Sequence, residues 1–342
     1  MDDIYLKILK EGYSLKFYGG KRTRTGFVCQ TDKGLKEIRK GGNDLLRLKA
    51  ECDLRHYMKD KGFKISEFEI CDNGDFFYEI NGNKYVLEDC MEGEELDFSN
   101  FCQAMRGAEI LGHFHNCSEG FESDDMPNDM DRIHDIFVKR YTELKRIRKR
   151  IKEKRRYSGI DMIVIENFDI VSNMAEKSIN IIENFEESIL NNKKYSLNTV
   201  CHNAFKGDNV KILENGCTTV TNLDKCSKNF TVWDLADFIR RLIKTEVFDD
   251  NQLLEIINSY KNVRNIDDND MNILKAFLMF PQKFLSICNE YYNKRSVCIS
   301  DAMMERFSKS AMLIKKNSGF SEILWKIFKN NGKIWQFSVI LF

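Results

Sequence analysis

Apolar residues change their spacing about a quarter of the way along the chain. Up to residue 92 they come in short β-branched or aromatic runs broken by Gly and Asn-Gly: GFVCQT (26–31), FEICDNG (68–74), DFFYEING (75–82) and KYVLEDCM (84–91). Such runs predict strands. The Asn-Gly pairs at 73–74 and 81–82 predict the turns of a three-stranded antiparallel meander. Between the first two runs, DLLRLKAECDLRHYMKDKGF (44–63) spaces Leu45, Leu48, Cys52, Tyr57 and Met58 as one face of a helix that stops at Gly62. From residue 93 the period is helical. NFCQAMRGAEILGHFHNCSEGF (100–121) sets Cys102, Met105, Ala108, Leu111 and Phe114 three apart, and further helices are predicted over 131–156, 161–191, 231–246, 251–261, 269–293 and 300–330. The pattern therefore predicts an α+β chain: a small sheet lobe with one helix (1–92) and a larger helical lobe (93–342). They meet at the polar Glu92-Gly93-Glu94-Glu95.

Composition narrows this little. A length of 342 residues with 42% hydrophobic residues suffices for two lobes, and the two prolines, Pro127 and Pro281, leave room for long helices. Lys plus Arg balance Asp plus Glu at 53 each, so no global charge draws the chain to nucleic acid or membrane. The first residues, MDDIYLKILKEGYSLKF, are too charged for a secretory signal, and no 18-residue apolar run predicts a membrane span. The eleven cysteines include no Cys-x-x-Cys pair. They read as small buried thiols of a protein made in a reducing compartment, not as a zinc knuckle.

The stretch VCHNAFKGDNV (200–210) brings in chemistry. A His followed seven residues on by an Asn is the frame of a phosphotransfer loop. It stands in an ordered series with QTDKGLKEIRKG (30–41), YMKDKGF (57–63), NGNKYVLEDCMEGEELDFS (81–99), LGHFHNCSEGF (111–121), TNLDKC (221–226) and WDLADFIRRLIK (233–244). In that order these segments resemble the protein-kinase-like superfamily in its aminoglycoside and choline phosphotransferase branch, and within it the CotS family of spore coat proteins. The resemblance spans about residues 12–330. It implies a bilobal kinase-like fold, a place in the spore coat after synthesis in the mother-cell cytoplasm, and other coat proteins as partners. It also implies a site for ATP and Mg²⁺, in which a loop Asp orients the acceptor hydroxyl and an Asn and a later Asp hold the metal.

Carried over residue by residue, the site is incomplete. His202 and Asn209 match, with His202 expected as a structural loop residue. The base position is Ala204, whose methyl group neither takes a proton nor orients a hydroxyl. The first metal carboxylate is replaced by Asn222, and Asp224 follows at the second acidic position. In EIRK the phosphate-binding lysine falls on Arg39, with Glu51 as its expected partner and Glu88 in the same nucleotide-site remnant. The glycines of YGGKRTRTG (18–26) lack phosphate-loop spacing and read as a turn. Asp208 is a candidate to swing toward a metal, against a plain reading as a solvent-facing turn residue. Asp234 is expected to cap its helix and, by resemblance, to accept hydrogen bonds from the loop backbone. With weakened ATP and Mg²⁺ sites, the leading reading is a catalytically impaired kinase-like coat component. The alternative is an active small-molecule phosphotransferase with a rearranged metal site built on Asn209, Asn222, Asp224 and Asp208.

Three features lie outside that site. KRYTELKRIRKRIKEKRR (139–156) holds eleven Lys and Arg against two Glu, a local charge of +9, with Leu144, Ile147 and Ile151 as a narrow apolar stripe. It reads as a solvated helix or as an anion-docking face with Lys149, Arg150 and Arg155 exposed. Without interleaved aromatics, nucleic acid is not the expected partner. His113 and His115, two apart, face different sides of a helix and do not share a metal. The apolar tail KIWQFSVILF (333–342) reads as a final strand, a packed end or a contact surface.

Overall fold

In a computed structural model, residues 3–191, 199–293 and 301–314 are described. The tail 333–342 and the far part of the 300–330 helix lie outside them. The chain divides into two compact units: residues 1–129, 196–248 and 256–265 in the first, and 130–195, 249–255 and 266–342 in the second. The expected lobe boundary at 92–93 falls inside the first unit.

The first unit opens with α1 (Asp3–Lys7), which continues into a wide helical turn, and then builds a sheet from β1 (Phe17–Arg22), β2 (Gly26–Thr31), β3 (Gly34–Lys40), β4 (Tyr78–Ile80) and β5 (Asn83–Asp89). All pairings are antiparallel, in the order β1-β2-β3-β5-β4. α2 (Leu45–Asp60) connects β3 to the later strands, and Asp44 caps it by accepting from the Leu46 and Arg47 N–H groups. One sheet face buries Phe27, Cys29, Ile38 and Leu87 with Ile8 and Leu9. On the other, Val86 meets Leu48 of α2 and Phe68. The expected meander is a hairpin only: residues 68–74 contribute a single bridge, Phe68 to Glu88. The Gly19-Gly20 pair is not a turn either. Both lie within β1, opposite Gln30 and Cys29, and Thr23-Arg24-Thr25 makes the turn.

The polar connector forms β6 (Gly93–Glu95). After α3 (Phe101–Ser118) come four short strands: β7 (Val200–Cys201), β8 (Val210–Leu213), β9 (Thr218–Val220) and β10 (Ser227–Lys228). β6 pairs with β8 and β8 with β9, while β7 pairs with β10. These strands, two to four residues long, carry too few side chains to show a period of two. On α3 Ala104, Ala108, Leu111 and Phe114 are among the buried positions; of the expected face, Cys102 is exposed and Met105 half-buried.

The second unit holds α4 (Ile133–Lys152) and α5 (Gly159–Asn191). Following α6 (Thr231–Thr245) of the first unit, α7 (Asp250–Val263) passes from the second unit into the first. α8 (Asp268–Met279), α9 (Gln282–Asn293) and a helix over 301–314 complete the second unit. The single helix expected over 269–293 is two. Pro281 has no N–H to donate, and the break falls at Phe280, whose extended backbone suits a residue before proline. α4 buries Ile133, Phe137, Tyr141, Leu144, Ile147 and Ile151, as a solvated basic helix with an apolar stripe should. No helix among the described residues is long and apolar enough to cross a membrane.

Candidate functional site

The 200–210 loop hangs on one buried carboxylate. Asp234 Oδ2 accepts from the His202 N–H at 2.5 Å and Oδ1 from the Asn203 N–H at 2.9 Å. His115 Nε2 lies 3.2 Å from Oδ2, and its Nδ1 is 2.8 Å from the Tyr260 hydroxyl. Asp234 is not a helix cap: Phe230 holds that position, and Asp234 lies inside the first turn of α6, turned to the loop. Burial works to raise its carboxyl, but the His115 hydrogen bond and the loop N–H outweigh it and leave the group below the usual range. Burial pushes His115 down, so it serves as a neutral donor.

His202 is fully buried and engaged at both nitrogens. Nε2 faces the Thr221 carbonyl at 2.9 Å, and Nδ1 accepts from the Ala204 N–H at 3.2 Å. This pairing requires the Nε2–H tautomer. Burial lowers its pKa, which keeps it neutral. Phe205 packs between Phe98 and Phe238, with ring centroids 5.9 and 5.7 Å away. Gly207 lets the loop pass the 93–98 segment: a Cβ there would stand 2.1 Å from the Leu96 carbonyl oxygen.

The metal positions are occupied by two amides bonded to each other. Asn222 Nδ2 donates to Asn209 Oδ1 at 2.8 Å, and Asn209 Nδ2 donates to the Ala204 carbonyl at 2.9 Å. Asn222 sits in the left-handed region (φ 60°), where Asn and Asp are favoured over bulkier residues. Asp224 points elsewhere. Its carboxylate is 3.2 Å from Lys225 Nζ and 42% exposed, and only its backbone carbonyl is bonded to α2, through Arg47 Nε at 2.9 Å.

At the lysine position stands a buried four-charge network. Arg39 reaches Glu51 at 2.6 Å and lies 3.7 Å from Glu88. Arg55, 1% exposed, donates to Glu51 Oε1 at 2.9 Å and to Glu88 Oε2 at 2.7 Å. Ser66 closes it, with its hydroxyl on Glu88 and its carbonyl 2.8 Å from Arg55 Nη1. Burial alone would raise the Glu88 carboxyl; the Arg55 and Arg39 charges reverse that and hold it low. The guanidinium carbons of Arg55 and Arg39 lie 4.6 and 5.4 Å from the Phe68 ring centroid. Sequence reasoning found the Arg39–Glu51 pair but missed Arg55, although Glu51 and Arg55 four apart on a predicted helix were the available signal.

Beside the network a polar cavity of about 140 Å³ is lined by Arg24, Glu37, Glu88, Asp208, Lys211 and Asn222, among others. Its rim is closed by an ion pair between Arg24, at the β1–β2 turn, and Asp208, which also takes Lys206 Nζ at 3.1 Å. Asp208 is therefore not a solvent-facing turn residue: its side chain is 18% exposed, and its Oδ1 is buried without a hydrogen-bond partner. Nothing in the local sequence around Arg24 announced this contact, because it joins residues 184 positions apart.

A second group has metal-like spacing. Ligand atoms of His115, Cys201 and Asp234 lie within 4.8 Å of one another, all buried. A metal there needs a thiolate. Burial instead pushes the Cys201 thiol well up, and its Sγ donates to the Phe230 carbonyl at 3.0 Å. The group is a hydrogen-bonded support for the loop. His113, on the exposed side of α3, takes no part.

Comparison with known proteins places this geometry. The family model described as "Spore coat putative kinase YutH" matches residues 8–322. Spore coat protein S of Bacillus subtilis (strain 168) is 19% identical over 285 residues, which cover 82% of this chain and 81% of that one. Among solved structures, an aminoglycoside phosphotransferase from Alicyclobacillus acidocaldarius superposes with a TM-score of 0.75 at 15% identity, over 92% of each chain. A spectinomycin phosphotransferase, in complex with ADP and spectinomycin, superposes with a TM-score of 0.56 at 14% identity, over 92% of this chain and 98% of that one. The fold is thus the α+β kinase-like fold of the aminoglycoside and choline phosphotransferases, as its motif order implied.

Proposed function

The chain belongs to the YutH family of spore coat kinase-like proteins, and we propose that within it this protein is a pseudokinase, a coat component that keeps the kinase-like fold without transferring phosphate. The observation that carries this reading is the Asn209–Asn222 amide pair beside Ala204. Magnesium is held by carboxylates and phosphate oxygens in a near-ideal octahedron. Here both metal positions are neutral, each amide is used by the other or by the backbone, and the hydroxyl-orienting position is a methyl group. The Arg39 guanidinium is matched by Glu51 and Glu88. The cavity of about 140 Å³ is smaller than the roughly 300–1,000 Å³ of small-molecule sites. These residues do not fit ATP with Mg²⁺. The family name supports a location in the spore coat; synthesis in the mother cell and other coat proteins as partners belong to the proposal.

Thermal denaturation with and without ATP and Mg²⁺ tests the reading: the expected result is an unchanged Tm. A magnesium-dependent rise of several degrees would overturn it. That rise would favour the active phosphotransferase, for which the unpartnered Asp208 Oδ1 in the same cavity as Asn222 speaks. Asp208→Ala would then abolish the rise.

A further inference from the structure

With 53 cationic and 53 anionic side chains the whole chain is neutral. Residues 139–156 carry +9, so the rest of the chain carries −9. The fold neutralises only part of that charge. Arg150 is not free, as the sequence suggested: it contacts Glu143, Asn293 and the Tyr292 carbonyl. Arg148 lies over the Phe168 ring, and Lys154 is bonded to Asp161. Lys149, Lys152, Arg155 and Arg156 are exposed and have no partner among the described residues. Lys145, also exposed, lies over the Tyr141 ring, at 4.2 Å from its centroid. Lys145, Lys149 and Lys152 stand at i, i+4 and i+7 on α4, opposite its buried stripe. They form a row about 10 Å long at 1.5 Å per residue.

The first unit carries a matching row. On the outer face of α2, Asp53, Tyr57 and Asp60 also stand at i, i+4 and i+7, and with His56, Phe121 and Glu122 they line a shallow groove. Asp53 is exposed with no partner among the described residues, and Asp60 lies 3.6 Å from His56 and within the field of Lys59. The Tyr57 ring, packed edge-on to Phe121 at 5.5 Å, already draws one ammonium: Lys61 Nζ lies 5.3 Å from its centroid. The groove therefore offers carboxylate, aromatic face and carboxylate at the spacing at which α4 offers three lysines.

We propose that the cationic face of α4 is a self-association surface that docks on the α2 groove of a second copy of this chain. Lys145 and Lys152 pair with Asp53 and Asp60, in either helix direction, and Lys149 lies on Tyr57. The contact joins two different faces, so each copy offers both halves and assembly continues into rings or strings. This inference is independent of the kinase question. A second copy is favoured over nucleic acid because no exposed aromatic interleaves the lysine row, and because the acidic row matches it in period.

Sedimentation velocity on the full chain tests this. Between about 0.02 M and about 1 M salt, spanning long and short screening lengths, wild-type protein should form larger species at low salt and lose them at high salt. The variant Lys145→Glu/Lys149→Glu/Lys152→Glu and the variant Asp53→Lys/Asp60→Lys should each stay monomeric at low salt. All five positions are on exposed helix faces, and far-UV circular dichroism verifies that each variant folds. Mixing the two variants restores both charge matches and should restore the larger species. Wild-type protein that is monomeric at low salt would overturn the proposal. So would association that survives either reversal, a mixture that stays monomeric, or larger species that vanish on nuclease treatment.

Discussion

His202 has the backbone on both sides and no solvent, so its part in the loop is to hold geometry, with no proton to exchange. Its pKa and that of His115 lie below the ordinary value near 6.5 because both are buried. In the unfolded chain both take protons as the pH falls through about 6.5, while the folded protein resists. Stability is therefore expected to fall between pH 7 and pH 5 by up to about 1.4 kcal/mol per pH unit for each histidine. Asp234 and Glu88 act in the same direction, in a lower pH window. Their folded pKa values are depressed, so their contribution holds above the unfolded value near 4 and is lost only as the pH falls through the folded one. Melting curves between pH 7 and pH 5 check this. His202→Asn should flatten the slope, and an unchanged slope would show that His202 does not contribute. The loop was legible at this level as far as residue identity goes. Ala204, Asn209 and Asn222 were readable because motif order aligned them. The Asn–Asn bond and the two-sided use of His202 were not, because Asn209 meets Asn222 and His202 meets Thr221 only once the fold brings those segments together.

The strand pairing of β6 with β8 brings the 93–98 segment onto the loop remnant, and Gly207 is where the two chains pass. Gly207→Ala should cost about 1–3 kcal/mol, as for other overpacked sites. A denaturant titration with unchanged m-value would record it as loss of stability and not of compactness. α2 is a second element with two duties. Its inner face carries Glu51 and Arg55 into the sheet; of the apolar face expected from the sequence, Leu48 and Met58 are buried while Leu45 is exposed. What its sequence concealed is that a charged pair belongs inside. An Arg at i+4 from a Glu is read as surface decoration unless the sheet above it is known to bring Arg39 and Glu88. Replacing Arg55 by Met, of similar length, leaves Glu88 and Glu51 sharing one cation. Removing one partner of a buried pair costs about 3–5 kcal/mol. Arg55→Met should lower the unfolding free energy by that order in urea, and a change under about 1 kcal/mol would mean the network is not stabilising the fold.

For the whole molecule, periodicity forecast the change from sheet to helix and nearly every long helix, because amphipathic faces longer than three turns declare themselves. It failed for four short strands, for the break at Pro281 and for the missing third strand at 68–74, all places where tertiary context outweighs local pattern. The family was legible because seven weak segments kept their order, although overall identity to the curated relative is 19%. The uneven charge is a property of the same scale. A neutral chain that concentrates +9 on residues 139–156 repels copies through no net charge, and its association is expected to weaken as salt rises.

The buried quartet of Arg39, Glu51, Arg55 and Glu88 also limits which replacements the fold tolerates. Each charge leans on two others, so changing either glutamate to an apolar residue leaves an unmatched cation in the interior until a second substitution follows, whereas a lysine at position 39 would keep the charge and lose only the forked donor set. With total stabilities of about 5–15 kcal/mol against a penalty of about 3–5 kcal/mol for one uncompensated loss, a single such change takes up a large share of the stability. The network therefore behaves as one unit: a residue at any of the four positions suits the interior only in combination with the other three, so substitutions there are expected to be tolerated in pairs.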